Sequence, residues 1–449
     1  MTEKQQMHSA YIAHFQRRAT SLTNDGGAWF VPTREAALAC FSRLGFPTLR
    51  HEEWKYTNVA PIAQTAFEPA APGAAQVTLD QIEPYTFADD ACTRLVFVNG
   101  WFVPELSSSG AASEGVVAGS LIAAMRTHRE LIEPHLARHA AFEDQAFVAL
   151  NTALMQDGAF VHVAKRRVVS RPIHLLFVST TEGRPLVAHP RNLILADADS
   201  QATVIESHVS LDGAEAAACF TNPVTEIVAS EHAVVDYYKI QRQDDRAYHV
   251  GALQLHQYGS SNISAHTISL GGSLVRHDIN ALLDAEGCEC TLNGLYMVNG
   301  RQQVDNHLRV VHARPHCNSR EFFKGVLDDR ARGAFTGRIV VHPDAQKTDA
   351  KQSNMNLLLS ADAQVDSKPQ LEIFADDVKC THGATIGQVD EEAVFYLRSR
   401  GMSRAAARGL LIHAFAREAV EGVRFDALRE QLEGLIFTRL SQGDMLQEA

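Results

Sequence analysis

The sequence lacks the features of a membrane, secreted or nucleic-acid-binding protein. Its 449 residues contain no uninterrupted apolar stretch near the roughly 20 residues that cross a bilayer, and no hydrophobic signal core follows the polar start Met1–Gln6. Lys and Arg total 41 against 53 Asp and Glu, without a long basic run, so the clustered cations that phosphate binding needs are missing. We therefore expect a cytoplasmic protein that binds neither a membrane nor a nucleic acid.

Cysteines and catalytic motifs are also scarce. The seven cysteines are an odd number scattered along a long chain, unlike the framework of a small disulfide-rich protein. We expect reduced thiols, most of them buried as small apolar residues. No Walker A loop, G-x-S-x-G, H-E-x-x-H or C-x-x-C motif is present. We predict that the chain is not an enzyme and binds no nucleotide itself.

A long series of short β-branched runs is what the sequence does contain. The runs begin after Gly158, are about 4 to 7 residues long, and are separated by turns such as Asp212-Gly213 and Asn299-Gly300. A sandwich, a barrel and a solenoid all fit short strands, but so long a region without helices exceeds one sandwich and suits a solenoid. We predict a mainly β fold whose core, residues 159–387, is a parallel β-helix.

Helical patterns flank this β region on both sides. Residues 1–158 form a predicted helical and mixed region, with helices at Met7–Arg18 and Thr33–Leu44 and a helical layer over Leu121–Met155 that Pro134 can break. Gly45 and Pro47 end the second of these helices.

Residues 388–449 form a predicted C-terminal helical domain. Its helices cover Asp390–Arg400, ending at Gly401, then a segment capped by Ser403 through Val420, and finally Phe425–Leu440. The last helix carries an apolar stripe made of Leu428, Leu432, Leu435, Phe437 and Leu440. Two interpretations are open: the stripe packs on the chain's own β body, or it docks a partner.

Cys380 and His382 are the candidate metal ligands. They are two residues apart, so in an extended strand both side chains leave the same face, with Cα atoms about 7 Å apart. A thiolate and an imidazole together suit a soft metal such as iron. Because two ligands do not complete a four-coordinate site, the others must come from elsewhere in the fold or from a partner. The alternative is that both side chains simply pack or hydrogen-bond at the end of the β body.

Two further clusters favour a structural interpretation. Cys288 and Cys290 are separated by one residue, which is poor spacing for a zinc knuckle. A dense group of possible ligands also occurs between residues 307 and 317, but single histidines usually serve the core or the surface; its members are His307, His312, His316 and Cys317.

Several long segments carry a specific resemblance to a known family. The densest stretch runs from Asn306 to Gly422 and contains Phe323–Leu327, Val341–Thr348, Asn356–Leu359, Lys368–Ile373 and Phe395–Gly401. Together with His51–Thr57, these segments resemble the SufB/SufD family of iron–sulfur cluster assembly proteins. The likeness covers most of the chain and is weakest from Pro61 to Gly119.

The resemblance is to the SufD branch of this family. The SufB branch has a cysteine in the strand before its Leu-Leu segment, whereas Lys351–Asn356 contains none here, and the Cys380–Thr385 segment is similar to the SufD form.

Membership would imply a right-handed parallel β-helix with an N-terminal helical region and a C-terminal helical domain. It would also imply pairing with a SufB-like subunit through the end of the β-helix, and binding of a SufC-like ABC-type ATPase by the C-terminal helices. A homodimer is possible for the isolated chain.

The resemblance also implies functional residues. His382 and Cys380 would lie at the heterodimer interface and assist iron entry or a nascent cluster shared transiently with the partner. The SufC-like ATPase would contact the C-terminal helices, with candidate residues Phe395, Tyr396, Arg398, Leu428, Leu432 and Leu435.

Two other functions are weighed against this one. The first is a purely structural subunit that stabilises the SufB-like partner and recruits the ATPase without a ligand role. The second is a β-helix enzyme acting on polysaccharide, which the low aromatic content of 7% and the absence of a signal peptide disfavour.

Overall fold

The structure is a computed structural model that describes residues 27–73, 76–88, 91–108, 115–181, 183–213 and 217–441. The predicted helix Met7–Arg18 lies outside these residues. The division of the chain into domains at residues 158 and 387 stays a prediction.

Short helices make up much of the N-terminal region. Its α-helices are α1 (Val31–Leu44), α2 (Ala60–Gln64), α3 (Leu79–Ile82), α4 (Leu121–Thr127), α5 (Arg129–Ile132) and α6 (Ala146–Leu154). Short 3₁₀ turns cover Ala28–Phe30, Glu52–Trp54, Glu83–Tyr85 and Pro104–Leu106. Helix α1 ends at Gly45, whose positive φ of 66° suits a residue without a side chain, and this confirms the predicted stop.

The predicted helical layer over Leu121–Met155 is interrupted between α5 and α6. The carboxylate of Glu226, on the neighbouring sheet, accepts backbone N–H groups from Ala137, His139 and Ala140 at 2.9–3.0 Å. These bonds satisfy donors that a helix would have used internally, so the segment is fixed as an irregular loop instead.

The β region is a parallel solenoid, which confirms the predicted fold class. Its early strands are β1 (Glu68–Pro69), β2 (Thr93–Val98), β3 (Trp101–Phe102), β4 (Val116–Ser120), β5 (Ala159–Val163), β6 (Ile173–Ser179), β7 (Leu186–Ala188), β8 (Arg191–Ala196), β9 (Gln201–Ser210), β10 (Cys219–Thr221) and β11 (Val224–Ala229). The later strands are β12 (Val234–Arg242), β13 (Ala247–Gln257), β14 (Asn262–Ser269), β15 (Leu274–Leu283), β16 (Glu289–Val298), β17 (Gln303–His312), β18 (Asn318–Leu327), β19 (Arg332–Val341), β20 (Asp349–Leu358), β21 (Gln364–Ile373) and β22 (Lys379–Gly387).

These strands form two sheets that face each other. Sheet 1 has the order β21-β19-β17-β15-β13-β11-β8-β5-β4, with β1, β7 and β10 at its side, and sheet 2 has the order β22-β20-β18-β16-β14-β12-β9-β6-β2-β3. The long strands pair in parallel, so each turn of the solenoid adds one strand to each sheet. The antiparallel pairs β2–β3 and β4–β5 lie at the N-terminal end.

The later strands are longer than the sequence pattern predicts. Each strand from β15 to β21 spans ten residues, whereas the predicted runs were about half that length. The cause is that polar residues such as Gln352, Asn354 and Asn356 are buried in β20, so apolar periodicity stops before the strand does.

The interior of the solenoid is apolar at many positions, but it holds a buried polar cluster around Glu206 in its N-terminal half and becomes polar again near its C-terminal end. One column of register partners on the inner face of sheet 2 shows the change: Val204, Tyr237, Ala265, Leu292, Glu321, Gln352 and His382. The members up to Leu292 belong to the main hydrophobic core, and those after it are polar.

The C-terminal helices cover the outer face of sheet 2. They are α7 (Glu391–Ser399), α8 (Arg404–Arg417) and α9 (Asp426–Ser441). Ser403 caps α8, as predicted, and Asp390, predicted as the first residue of its helix, is the cap of α7. Leu428 and Leu432 of α9 are buried in one cluster with strand residues such as Met297. Burying such a side chain contributes about 1.5–3 kcal/mol, so this packing holds the helices on the body.

Candidate functional site

Cys380 and His382 lie on β22, the last strand of sheet 2. Among the described residues this strand pairs only with β20, which leaves its other edge open. Cys380 is the register partner of Ala350, and His382 is the partner of Gln352. Since Ala350 and Gln352 are buried, both candidate ligands belong to the inner face of sheet 2, at the mouth of the solenoid.

The two side chains differ in their environment. Cys380 is half-buried and packs beside Ala350, and this burial raises the pKa of its thiol although the backbone of Ala350 opposes the shift. His382 is exposed. A thiol of raised pKa is a weaker ligand at neutral pH until a metal displaces its proton. His382 is therefore the more accessible donor of the pair.

The open end of the solenoid combines unpaired strand edges with exposed apolar side chains. Strand β22 is mostly exposed and β21 is exposed or half-buried, and each pairs with a strand on one side only among the described residues. Large apolar side chains are exposed here as well, with Phe374 at 62% and Ile386 at 51%. Unpaired strand edges combined with exposed apolar residues are typical of a surface to which another chain adds strands.

The interior just behind the mouth is lined by polar side chains. Gln352 Nε2 donates to Glu321 Oε2 at 2.6 Å, and Asn354 Oδ1 accepts from Asn356 Nδ2 at 2.7 Å and from Ser367 Oγ at 2.8 Å. Burial raises the pKa of the Glu321 carboxyl to about 8, against the smaller effect of the Gln352 hydrogen bond. This carboxyl is therefore mostly neutral near pH 7.

Sequence reasoning did not find Glu321 or Gln352. They come together with His382 only because residues 31 and 30 positions apart (321 to 352, 352 to 382) occupy the same place in successive turns. Without a strict sequence period this register cannot be read from the chain. The usable signal was the presence of Glu and Gln inside strand segments that otherwise have the composition of buried strands.

The four residues between 307 and 317 do not converge. His307 lies on the outer face of sheet 1 and contacts Glu53 at 2.5 Å, while buried His312 bonds Ser319 Oγ at 2.9 Å. His316 is exposed, and buried Cys317 donates from Sγ to the carbonyl of Ala285 at 3.1 Å. Within the described ranges, no three or more His, Cys, Asp or Glu side chains are grouped so that they could hold a metal ion.

Cys288 and Cys290 are both buried. Cys288 Sγ donates to the carbonyl of Ala285 at 3.2 Å, which agrees with the predicted structural role.

The segment His51–Thr57 attaches the N-terminal region to sheet 1. The hydrogen bond from His307 lowers the pKa of Glu53 to about 2, and Arg276 lies 3.9 Å from the centre of the Trp54 ring. Arg276 also forms ion pairs with Asp278 and Asp305 at 2.7 and 2.6 Å. A cleft of about 460 Å³ lies between this segment and the sheet.

The predicted ATPase-binding residues fall into two groups. Phe395, at 72% exposure, Tyr396 and Arg398 are exposed on α7. Leu428 and Leu432 are buried against sheet 2, and Leu435 is packed against the same cluster. The apolar stripe of α9 therefore packs on the chain's own body except at Phe437, which is 63% exposed. Phe395, Tyr396 and Arg398 remain exposed on α7.

The fold and the open end define a scaffold-like β-solenoid, and sequence comparison places it in a family. Residues 177–415 match the family model for the SufBD core domain of the SUF system of FeS cluster assembly, and residues 5–175 match the model for the SufBD N-terminal region. The chain belongs to the SufBD family of iron–sulfur cluster assembly proteins.

Individual relatives point to the SufD branch. The chain is 32% identical over 421 residues to the iron–sulfur cluster assembly protein SufD of Escherichia coli (strain K12), covering 92% of this chain and 93% of that protein. It is 32% identical over 414 residues to a SufBD family protein of Synechocystis, covering 91% of each. SufD of Bacillus subtilis is 26% identical over 341 residues, covering 72% of this chain and 74% of that protein. The resemblance seen in the sequence is thereby confirmed.

No helix among the described residues is long and apolar enough to cross a membrane.

Proposed function

We propose that this chain is a non-enzymatic scaffold subunit that helps to build iron–sulfur clusters at the open end of its solenoid. The observation that carries the proposal is the position of Cys380 and His382. Both belong to the inner face of an edge strand, at the mouth of a polar interior and beside exposed apolar residues. Soft-metal donors and an unpaired strand edge therefore occupy the same surface.

The partner at this end is a SufB-like subunit of the same family. Addition of its strands to β21 and β22 would satisfy the open edges and cover Phe374 and Ile386. It would also bring the partner's donors towards His382 and Cys380, which cannot complete a coordination sphere alone. Iron and the nascent cluster are cargo shared between the two subunits. In the isolated chain a second copy can take the partner's place.

The ATP-driven step comes from a SufC-like ABC-type ATPase bound to the C-terminal helices. Support comes from the exposed aromatic pair Phe395 and Tyr396 on α7, since large apolar side chains with this exposure are typical of contact surfaces. The helices are themselves fixed to sheet 2 by the buried stripe of α9. A force on the helices would therefore reach the solenoid.

A purely structural role is the second candidate. It is favoured by the raised pKa of Cys380 and by the lack of a group of three or more His, Cys, Asp or Glu ligands in the described part of the chain. In that case the subunit stabilises its partner and recruits the ATPase without touching iron.

One experiment separates the two roles. The chain is co-expressed with its SufB-like and SufC-like partners and purified without oxygen, and iron, sulfide and visible absorbance are measured for wild type and His382→Ala. We expect an intact complex with at least a fivefold loss of cluster. The matched control is His342→Ala, an exposed histidine outside the mouth, which should keep the wild-type content. A full cluster yield in the His382→Ala complex would leave the structural role as the correct one.

A further inference from the structure

Two buried oxygen atoms behind the mouth of the solenoid have no hydrogen-bond donor. They are Glu321 Oε1 and Gln352 Oε1, on side chains that are 2% and 3% exposed. The other oxygen of Glu321 accepts from Gln352 Nε2 at 2.6 Å, so the two orphan atoms belong to one bonded pair. Buried polar atoms in folded proteins nearly always have a partner, so this pair calls for a ligand.

The pair is aligned with His382. Glu321, Gln352 and His382 are register partners on three successive strands of sheet 2, all on the inner face. Neighbouring strands are about 4.8 Å apart, so the Cα atoms of Glu321 and His382 are separated by roughly 10 Å with Gln352 between them. A carboxylate and an imidazole on side chains of this length can reach a common point over that separation.

The facing wall leaves room for Gln352. Gly337 lies opposite on β19, and a Cβ atom added there would be 2.3 Å from Gln352 Nε2. A larger residue would displace the amide. On β16, the strand before β18 in sheet 2, the register partner of Glu321 is Leu292, an apolar residue that offers no side-chain hydrogen-bond donor. Cys290, two residues before Leu292, is the titratable neighbour, and Glu321 helps to raise the pKa of its thiol.

We infer that Glu321 and Gln352 form an internal site for a divalent cation and supply this chain's own missing ligands to an ion held by His382. Near pH 7 the carboxyl of Glu321 carries a proton in the metal-free chain, and a cation bound between the two unpartnered oxygens would displace that proton. Carboxylate, amide oxygen and imidazole together then suit Fe²⁺ or Mn²⁺. The role of the ion as cargo for cluster assembly rests on the proposed function. The assignment of the two oxygens as a cation site does not depend on that function.

The test is Fe²⁺ binding to the full-length chain under anaerobic conditions, followed by equilibrium dialysis. We expect one tightly bound ion in wild type, at least tenfold weaker binding for Glu321→Gln, and a smaller loss for Gln352→Met, which keeps the side-chain shape. The control is Glu372→Gln, an exposed carboxylate on β21 at the same end, which should bind like wild type. Thermal melting of each variant shows that the fold is kept.

The outcomes for the internal site and for the proposed function are separable. Unchanged Fe²⁺ affinity in Glu321→Gln overturns the inference, whatever His382→Ala does. A loss in Glu321→Gln with no loss in His382→Ala supports the internal site and counts against the role of His382. Crystals of wild type soaked in Mn²⁺ give a second readout: an anomalous peak between Glu321 and Gln352 supports the site, and an ordered water there overturns it.

Discussion

The buried carboxyl of Glu321 should make the stability of the metal-free protein depend on pH. Its pKa is raised from 4.5 to about 8, with desolvation as the main cause. Between these values the folded chain keeps a proton that the unfolded chain releases. Stability contributed by this group is therefore present at low pH and is lost as the pH rises through the window from 4.5 to about 8.

The size of the effect follows from the same shift. Each pKa unit corresponds to about 1.4 kcal/mol, so the full shift sets an upper limit of about 5 kcal/mol between the two ends of the window. Glu321→Gln removes the titration but keeps an oxygen that can accept from Gln352 Nε2. We expect the variant to match wild type near pH 5 and to exceed its free energy of unfolding by at least about 2 kcal/mol near pH 8.

The assay is urea unfolding of the full-length chain, with a chelator present, at several pH values from 5 to 8. Glu372→Gln is the control, because it removes an exposed carboxylate from the same end of the solenoid and leaves the buried carboxyl of Glu321 in place. Equal pH slopes for wild type and Glu321→Gln would refute the reasoning, since they would show that Glu321 is ionised in the folded protein throughout this range.

Two further predictions concern the framework and the ATPase surface. Arg191→Met should destabilise the chain by about 3–5 kcal/mol in urea unfolding, because it leaves fully buried Glu226, now paired at 2.6 Å, without a counter-charge; a loss below about 1 kcal/mol would contradict this. Replacing Phe395 and Tyr396 together by Ala should reduce co-purification of the SufC-like ATPase at least fivefold without lowering Tm, whereas undiminished recovery would place that contact elsewhere.

The fold class could be predicted because local signals agree with it. Repeated β-branched runs and turn dipeptides marked the solenoid, and Gly45, Asp390 and Ser403 marked helix ends where the structure has them. These signals act within a few residues of chain, so one sequence is enough to read them.

The packing of the last helix could not be chosen from the sequence. The apolar stripe fits both the chain's own body and a partner, and burial of Leu428 and Leu432 shows that these residues pack on the body, whereas Phe437 stays exposed. The end of α5 at Ile132 agrees with the predicted break at Pro134. The irregular loop that follows could not be predicted, since Glu226, which fixes it, is about ninety residues further along the chain.

Only half of the candidate site could be predicted from the sequence. Cys380 and His382 stand out because they are two apart in one strand, but Glu321 and Gln352 join them only through the register of successive turns. That register depends on the length of every turn between strands, and no local pattern encodes it.

The most direct test of the central claim is amide hydrogen exchange in β22, measured for the chain alone and in complex with its SufB-like partner. If the partner adds its strands at the open end, the amides of residues 379–387 should exchange at least tenfold more slowly in the complex, while those of the exposed helix α7 stay unchanged when the ATPase is absent. Unchanged exchange in β22, with slowing on another surface, would show that the partner binds elsewhere and that the open end is not the assembly interface.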